Sequence, residues 1–133
     1  MHLVIDGYGS DQRLLQDEGA LRRLLNSYPA EIGMTRISEP HIVRYKGPGN
    51  ADWGISGLVI IAESHISVHT FVERSFVNID VFSCKDFDAK RVLEDMKTTF
   101  KLSRLRSYLL DRDWALPCPV DASRIVEVGA PGK

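Results

Sequence analysis

The sequence predicts a two-layer α+β domain in which an antiparallel sheet carries two helices on one face. Five stretches have the apolar and β-branched character of strands: residues 2–8, 34–45, 58–71, 76–84 and 102–110. Two others, 17–27 and 89–100, repeat apolar residues at helical spacing. Neighbouring strands occur in runs, so the element order β-α-β-β-β-α-β favours an antiparallel sheet over a parallel one.

Length and composition bound the kind of protein. The 133 residues are enough for one domain, which we assign to residues 1–111, followed by an irregular tail over residues 112–133 that contains three prolines. The net charge of -1 argues against a nucleic-acid partner. The N-terminal residues lack a basic segment and a long apolar run, so we expect no membrane span and a cytoplasmic protein.

The two cysteines, Cys84 and Cys118, are too few for a disulfide scaffold, and a reducing compartment would keep them as thiols. Neither cysteine stands at a zinc-ligand spacing with another Cys or His, so no metal is expected. Cys118 lies between two prolines of the tail, where we expect it to be inert.

The first half of the chain contains the first strand, the first helix and a long loop. After strand 2–8, Ser10 or Asp11 is expected to begin a short helical turn. The longer helix is expected to start at Asp17 and to stop before Pro29. Residues 34–45 form extended structure with a break at a proline, and a Gly/Pro-rich loop then carries Trp53.

The second half of the chain is built around the hairpin 58–84, in which a polar break over residues 72–75 separates two strands. If Phe71 lies opposite Phe76, then Glu63 faces Cys84. The same register pairs His69 with Asn78, Ser67 with Asp80 and His65 with Phe82. The other face of the hairpin is apolar and suits a helix layer, whereas this polar and partly aromatic face is left for a second subunit.

After the hairpin, Asp86 or Asp88 is expected to cap the second helix, whose Met96 belongs to the core. Residues 102–110 alternate again and predict a last strand with one solvated face.

Three interpretations are open for the reactive residues of the hairpin. A hydrolase triad at Ser64 is disfavoured because the G-x-S-x-G elbow is missing. Alternatively, His65 and His69 are polar residues of an exposed sheet face, and Cys84 is a small apolar residue at a strand end. The third interpretation is backbone chemistry at Ser64 itself, which the clustering of these side chains favours.

A family resemblance supports the third interpretation. Ala-Glu-Ser-His-Ile-Ser-Val-His-Thr-Phe-Val-Glu, residues 62–73, and Ile-Asp-Val-Phe-Ser-Cys, residues 79–84, resemble the signature of the prokaryotic S-adenosylmethionine decarboxylases. The resemblance extends to His-Leu-Val near the N-terminus and to Gly-Ile-Ser-Gly, residues 54–57, and covers roughly residues 2–110. These are self-processing pyruvoyl enzymes of polyamine and spermidine biosynthesis.

The resemblance implies self-cleavage between Glu63 and Ser64, with products 1–63 and 64–133 and a pyruvoyl group made from Ser64. It implies that Ser56 and His69 assist this processing, which suits the unperturbed histidine pKa of about 6.5. The pyruvoyl ketone forms a Schiff base with the substrate amine and replaces pyridoxal phosphate, and no metal is required. Cys84 then returns a proton to the substrate carbon.

The resemblance also implies a substrate pocket, in which Phe71 holds the adenine and Glu73 binds the ribose hydroxyls. The family's stacking aromatic stands in the loop before Gly-Ile-Ser-Gly, where this chain offers Trp53 or Tyr45. That loop is longer than in the family, and the signature departs at Phe71-Val72-Glu73 and Ser83-Cys84-Lys85. Arginine or ornithine therefore remains open as the substrate, and so does a non-catalytic dimeric α+β module.

A homodimer with shared sites is the expected assembly. His69 lies six residues from Glu63 along one strand, which at ~3.3 Å per residue separates them by ~20 Å. Either the strand folds back, or Ser56 and His69 act on Ser64 of a second copy. The resemblance to a symmetric dimer with composite sites favours the second arrangement.

Overall fold

In the computed structural model, which describes residues 1–48, 52–112 and 125–128, one antiparallel sheet contains every strand. Within these residues the strands are β1 (His2–Tyr8), β2 (Thr35–Arg36), β3 (His41–Lys46), β4 (Trp53–Ala62), β5 (Ser64–Phe71), β6 (Phe76–Ser83), β7 (Arg104–Leu110) and β8 (Ile125–Glu127). The helices are α1 (Gln12–Leu15), α2 (Glu18–Glu31) and α3 (Ala89–Thr99). The sheet order is β2-β4-β5-β6-β1-β7-β8, with β3 paired to β4 beside β2.

The helices cover one face of this sheet, which confirms the predicted α+β class. Alternate strand residues such as Ile5, Val59 and Val68 are fully buried and belong to the same core as Leu25 of α2 and Met96 of α3. The intervening residues of each strand face the other side, where the structure describes no helix. The amphipathic alternation of the strands therefore produces one covered face and one uncovered face.

The helix starts follow the predicted capping residues. The carboxylates of Asp17 and Asp88 accept hydrogen bonds from backbone N–H groups three residues later, at 3.0 and 3.1 Å. Asp11 caps α1 in a similar way. The predicted stop before Pro29 is wrong, because α2 continues to Glu31. Pro29 lies in the last turn of the helix, where the lost N–H costs a single hydrogen bond and the ring is buried.

The predicted hairpin register is confirmed between β5 and β6. His65 pairs with Phe82, Ser67 with Asp80, His69 with Asn78 and Phe71 with Phe76. The extent of the first strand is corrected, because residues 58–71 do not form one strand. The chain reverses at Glu63, so that β4 and β5 are themselves an antiparallel pair.

Around the start of β4, one expectation is confirmed and one is corrected. The predicted extended structure over residues 34–45 with a break at Pro40 is confirmed, since it forms two short strands, β2 and β3. Both pair with β4 on the same side, with Thr35 opposite Ala62 and His41 opposite Leu58. Trp53 is the first residue of β4 rather than a loop residue, and it pairs with Lys46.

The predicted irregular tail is also wrong in part. Ile125–Glu127 forms β8 and continues the sheet beyond β7, since it can pair with the free edge of that strand. Residues 113–124, with Cys118 and two of the tail prolines, lie outside the described residues, as does Pro131.

Candidate active site

The reversal between β4 and β5 brings Glu63, Ser64 and Cys84 together. The Cys84 backbone N–H donates to the Glu63 carbonyl at 3.3 Å, and the Cys84 thiol sulfur lies 3.8 Å from the Ser64 hydroxyl oxygen. Ser64 has a φ of 135°, a region that L residues rarely adopt. The predicted position of Cys84 beside the Glu63–Ser64 bond is therefore confirmed, in a strained stretch of backbone.

Ser56 and His69 meet at the opposite end of the same strands. They are cross-strand partners of β4 and β5, and the Ser56 hydroxyl oxygen lies 2.8 Å from His69 Nδ1. Both side chains line a cavity of about 250 Å³ with Tyr45, Phe71 and other residues at the start of β4. The structure thus pairs these two predicted site residues and gives them a cavity.

One protomer does not bring the two ends together. Strand β5 runs without interruption from Ser64 to Phe71, so the five residue steps from Ser64 to His69 correspond to about 16 Å at ~3.3 Å per residue. The fold-back within β5 that would join them is absent from this described strand. The sequence expectation that His69 lies far from the Glu63–Ser64 bond of its own chain is therefore confirmed.

Glu73 lies beside Trp53 rather than beside His69. The Trp53 indole N–H donates to a Glu73 carboxylate oxygen at 3.3 Å, and the Arg44 guanidinium lies 5.4 Å above the indole ring. Arg44 is held in turn by Glu18 of α2 at 2.9 Å. A second cavity of about 400 Å³ is lined by Glu73, Trp53, Tyr45 and the neighbouring residues of β3.

The uncovered sheet face combines apolar, aromatic and charged side chains. Val43, Leu58 and Ile60 are 49%, 40% and 45% exposed although they are aliphatic. Aromatic contacts cross the neighbouring strands: Phe71 with Phe76, Phe76 with Tyr8, His65 with Phe82 and His2 with Phe82. His2 Nε2 is hydrogen-bonded to Asp80 Oδ1 at 2.9 Å, and an ion pair joins Arg106 to Asp6 at 3.5 Å.

Two features of the cavity lining were missed by the sequence reasoning. Asp52, at the end of the Gly/Pro-rich loop, lines the cavity of Ser56 and His69. Its place just before Gly-Ile-Ser-Gly was the sequence feature that could have identified it. Thr70 lies at the back of the same cavity, where its buried hydroxyl accepts from the Ile55 N–H at 2.9 Å and donates to the Leu15 carbonyl at 2.7 Å. Its alternation with His69 and Phe71 could have identified it as a core residue.

Among the described residues, no group of three or more His, Cys, Asp and Glu side chains is arranged to hold a metal ion. In the same part of the chain, no helix has the length and apolar character needed to cross a bilayer.

Comparison with known proteins gives a consistent family assignment. The family profile described as S-adenosylmethionine decarboxylase matches residues 1–113. The S-adenosylmethionine decarboxylase proenzyme of Archaeoglobus fulgidus is 30% identical over 112 residues, which cover 84% of this chain and 95% of that protein. The arginine decarboxylase proenzyme of Pyrobaculum arsenaticum is 37% identical over 83 residues, 62% of this chain and 60% of that protein.

A solved structure agrees with the sequence comparisons. The crystal structure of the adenosylmethionine decarboxylase from Aquifex aeolicus superposes with a TM-score of 0.65 at 30% identity, covering 80% of this chain and 83% of that one. The profile match covers β1 to β7, both longer helices and the residues of the candidate site. The non-catalytic module is therefore set aside, and the chain belongs to the S-adenosylmethionine decarboxylase family of decarboxylating enzymes.

Proposed function

We propose that this protein is a cytoplasmic, pyruvoyl-dependent decarboxylase that converts S-adenosylmethionine to its decarboxylated form in spermidine biosynthesis. It would first cleave itself between Glu63 and Ser64 into residues 1–63 and 64–133. The observation that carries the proposal is the geometry of the β4–β5 reversal, where the bond to be cleaved, the attacking hydroxyl and the Cys84 thiol meet.

The cleavage step uses groups that the reversal supplies. The Ser64 hydroxyl oxygen attacks the Glu63 carbonyl carbon, the C–N bond breaks and an ester forms. The Cys84 N–H, which donates to the Glu63 carbonyl at 3.3 Å, stabilises the negative charge that develops on that oxygen. The strained φ of Ser64 favours a rearrangement that frees its backbone nitrogen.

The ester then breaks by elimination. Loss of the Ser64 α-proton expels the Glu63 carboxylate and leaves dehydroalanine. Water replaces its nitrogen, which departs as ammonia, so that a pyruvoyl group begins the second chain. The family resemblance assigns the proton transfers of these reaction steps to the Ser56–His69 pair. The 2.8 Å contact between the two side chains supports the assignment, because a histidine can exchange protons near neutral pH.

Once formed, the pyruvoyl group supplies a carbonyl that accepts the electron pair released as carbon dioxide leaves. The surrounding residues fit this group. The Cys84 thiol lies 3.8 Å from the Ser64 side chain and is exposed to an incoming substrate. A thiol S–H there can deliver a proton to the substrate carbon.

The binding of the nucleoside is assigned to the end of strands β4 and β5 at which Ser56 and His69 lie. Phe71 lines the cavity of Ser56 and His69, which supports its role against the adenine. Glu73 lines the adjoining cavity against Trp53, and the family resemblance alone assigns it the ribose hydroxyls. Tyr45 and Trp53 each line both cavities. The Trp53 indole is held by Glu73, whereas Tyr45 is 58% exposed, so Tyr45 is the freer of the two candidate stacking aromatics.

The working enzyme is proposed to be a homodimer whose sites combine both ends of the sheet. The exposed aliphatic side chains of the uncovered face favour burial against a second copy. Because β5 separates Ser64 from His69 within one chain, a facing copy that runs in the opposite direction would bring its Ser56 and His69 to the Ser64 of the first.

Arginine is the second candidate substrate. It is favoured by the Pyrobaculum arsenaticum relative, which is an arginine decarboxylase proenzyme. The chemistry would be unchanged, because any α-amino acid offers the amine and the carboxylate that the reaction requires.

The test is a carbon dioxide release assay on the processed protein with carboxyl-labelled S-adenosylmethionine, arginine and ornithine. The proposal predicts release from S-adenosylmethionine, and a Ser64→Ala chain run in parallel should release none. Release from arginine or ornithine alone would transfer the proposal to that substrate. Processed protein that decarboxylates none of the three would contradict it.

A further inference from the structure

Five polar side chains form one row across the uncovered sheet face. In the strand order β4-β5-β6-β1-β7 they are Ser56, His69, Asn78, Asp6 and Arg106, and each is the direct cross-strand partner of the next. The Asn78 side-chain amide donates to Asp6 Oδ1 at 2.7 Å, and Arg106 Nη2 lies 3.5 Å from Asp6 Oδ2. The row therefore continues from the Ser56–His69 pair to an amide, a carboxylate and a guanidinium.

Asp6 decides how the Asn78 amide is turned. An ionised carboxylate can only accept hydrogen bonds, so the group that Asn78 presents to Asp6 is its NH2 donor and not its carbonyl oxygen. Strand β6, which carries Asn78, lies between β1 with Asp6 and β5 with His69. Because the oxygen and the nitrogen of an amide point away from each other, Asn78 Oδ1 is directed to the His69 side.

Ser56 orients the imidazole of His69 in a complementary way. His69 Nδ1 lies 2.8 Å from the Ser56 hydroxyl oxygen on β4. The second ring nitrogen, Nε2, lies on the opposite flank of the imidazole, and β6 is the neighbouring strand on that flank. Directly opposed residues of one sheet face have Cβ atoms about 5 Å apart, so the Asn78 amide is within reach of the ring.

We propose that Asn78 is a positioning residue whose Oδ1 accepts a hydrogen bond from His69 Nε2–H and so fixes which ring nitrogen carries the proton. This hydrogen bond is the one link that we add to the contacts of the row. The inference rests on the proposed function, because it concerns the histidine that assists self-cleavage. With the proton held on Nε2, Nδ1 keeps a lone pair for the Ser56 hydroxyl hydrogen, and the pair can act as a base.

The outer part of the row explains why a neutral amide can fulfil this role. An amide that rotates freely can offer either end to the imidazole, and its NH2 end would favour a ring with the proton on Nδ1, against the contact with Ser56. Asp6 removes that alternative, and Arg106 offsets the charge of Asp6. His69, Asn78 and Asp6 belong to one chain, so the inference holds whether His69 serves its own chain or a second copy.

The first experiment measures the rate of self-cleavage of chains made by cell-free translation, on denaturing gels. Asn78→Ala should slow cleavage about tenfold, through loss of the hydrogen bond that holds the base. Asp6→Asn should slow it about threefold, since the amide is then free to turn. A chain with both changes should be no slower than Asn78→Ala, because both changes act through one contact. Asn26→Ala, the same replacement at an exposed position of α2, is the matched control and should leave the rate unchanged.

The second experiment observes the imidazole by NMR on uncleaved Ser64→Ala chains that contain isotope-labelled histidine. The His69 signals are identified by their loss in a His69→Ala chain. We expect the ring proton on Nε2 and a visible N–H signal, because the hydrogen bond slows exchange of that proton with water. Asn78→Ala should abolish the signal and Asn26→Ala should keep it. If Asn78→Ala does not fold, Asn78→Val, which favours a strand and also lacks the acceptor, replaces it in both experiments.

Three outcomes would overturn the inference. These are cleavage of Asn78→Ala at the wild-type rate, a His69 ring whose proton lies on Nδ1, and an Nε2–H signal that survives in Asn78→Ala. A wild-type chain that never cleaves is a different result, because it refutes the proposed self-cleavage. The NMR measurement would still decide the role of Asn78 in that case, since it uses chains that cannot cleave.

Discussion

At the scale of single residues, the candidate site consists of two contacts at opposite ends of one strand pair. Ser64 and Cys84 lie at one end and Ser56 and His69 at the other. The alternation of strand residues was enough to predict Cys84 opposite Glu63, because a sheet register fixes every pair once one pair is known. The Cys84 N–H bond to the Glu63 carbonyl could not be predicted, since it depends on the path of the backbone beyond the ladder.

Replacing Cys84 should separate processing from turnover. Cys84→Ala removes the thiol and keeps the backbone N–H that polarises the Glu63 carbonyl, so the chain should still cleave. Decarboxylation should fall by about 10²-fold or more, which is typical for loss of a positioned proton donor. Gel electrophoresis and carbon dioxide release measure the two effects, and a variant that keeps full turnover would exclude Cys84 as the donor.

At the scale of elements, the β4–β5 reversal was missed, and it defines the site. Residues 58–71 are rich in aliphatic and β-branched side chains on both sides of Glu63, and no Gly, Pro or Asn marks the turn. The turn takes up one residue, so periodicity alone did not reveal it. The helices were easier to predict, because Asp17 and Asp88 are capping residues followed by apolar positions at helical spacing.

Helix α2 is also tied to α3 by a partly buried hydrogen bond. The Tyr28 hydroxyl donates to Asp95 at 2.7 Å. Burial, and then this hydrogen bond to a carboxylate, raise the pKa of Tyr28 well above its ordinary value. The folded protein therefore keeps Tyr28 protonated at a pH at which the unfolded chain ionises.

The consequence is a loss of stability at alkaline pH. The contribution of Tyr28 is fully present below pH ~10, and it declines as pH rises further by up to about 1.4 kcal/mol per pH unit. Tyr28→Phe should cost about 1 kcal/mol at neutral pH and make the decline above pH ~10 shallower. Urea unfolding at pH 7 and at pH 10 to 11 measures both, and an unchanged alkaline slope would contradict the role of Tyr28.

At the scale of the whole molecule, the uncovered sheet face connects the two ends of the site to assembly. The predicted alternation placed a polar and aromatic set on this face, and the structure adds exposed aliphatic residues of β3 and β4. The sequence could not predict how far that apolar surface extends, because the break at Pro40 does not show that both short strands of residues 34–45 pair with the same side of β4.

A mixture of two inactive chains tests whether the sites are shared. Ser64→Ala chains lack the attacking hydroxyl and His69→Ala chains lack the assisting imidazole, so neither should process alone. In a mixed dimer, His69 of the first chain should serve Ser64 of the second, and only the His69→Ala chain should be cleaved. Co-expression with distinguishable tags and a denaturing gel would show this, and absence of cleavage would argue for sites within one chain.

The central claim is that the Glu63–Ser64 bond breaks without any other protein. Its most direct test is the intact mass of purified protein over time, with Ser64→Ala as the control. The account predicts two fragments, residues 1–63 and a second chain that begins with a pyruvoyl group at position 64, while the control stays whole. A wild-type chain that stays at full length after long incubation, or one cut at a different bond, would contradict it.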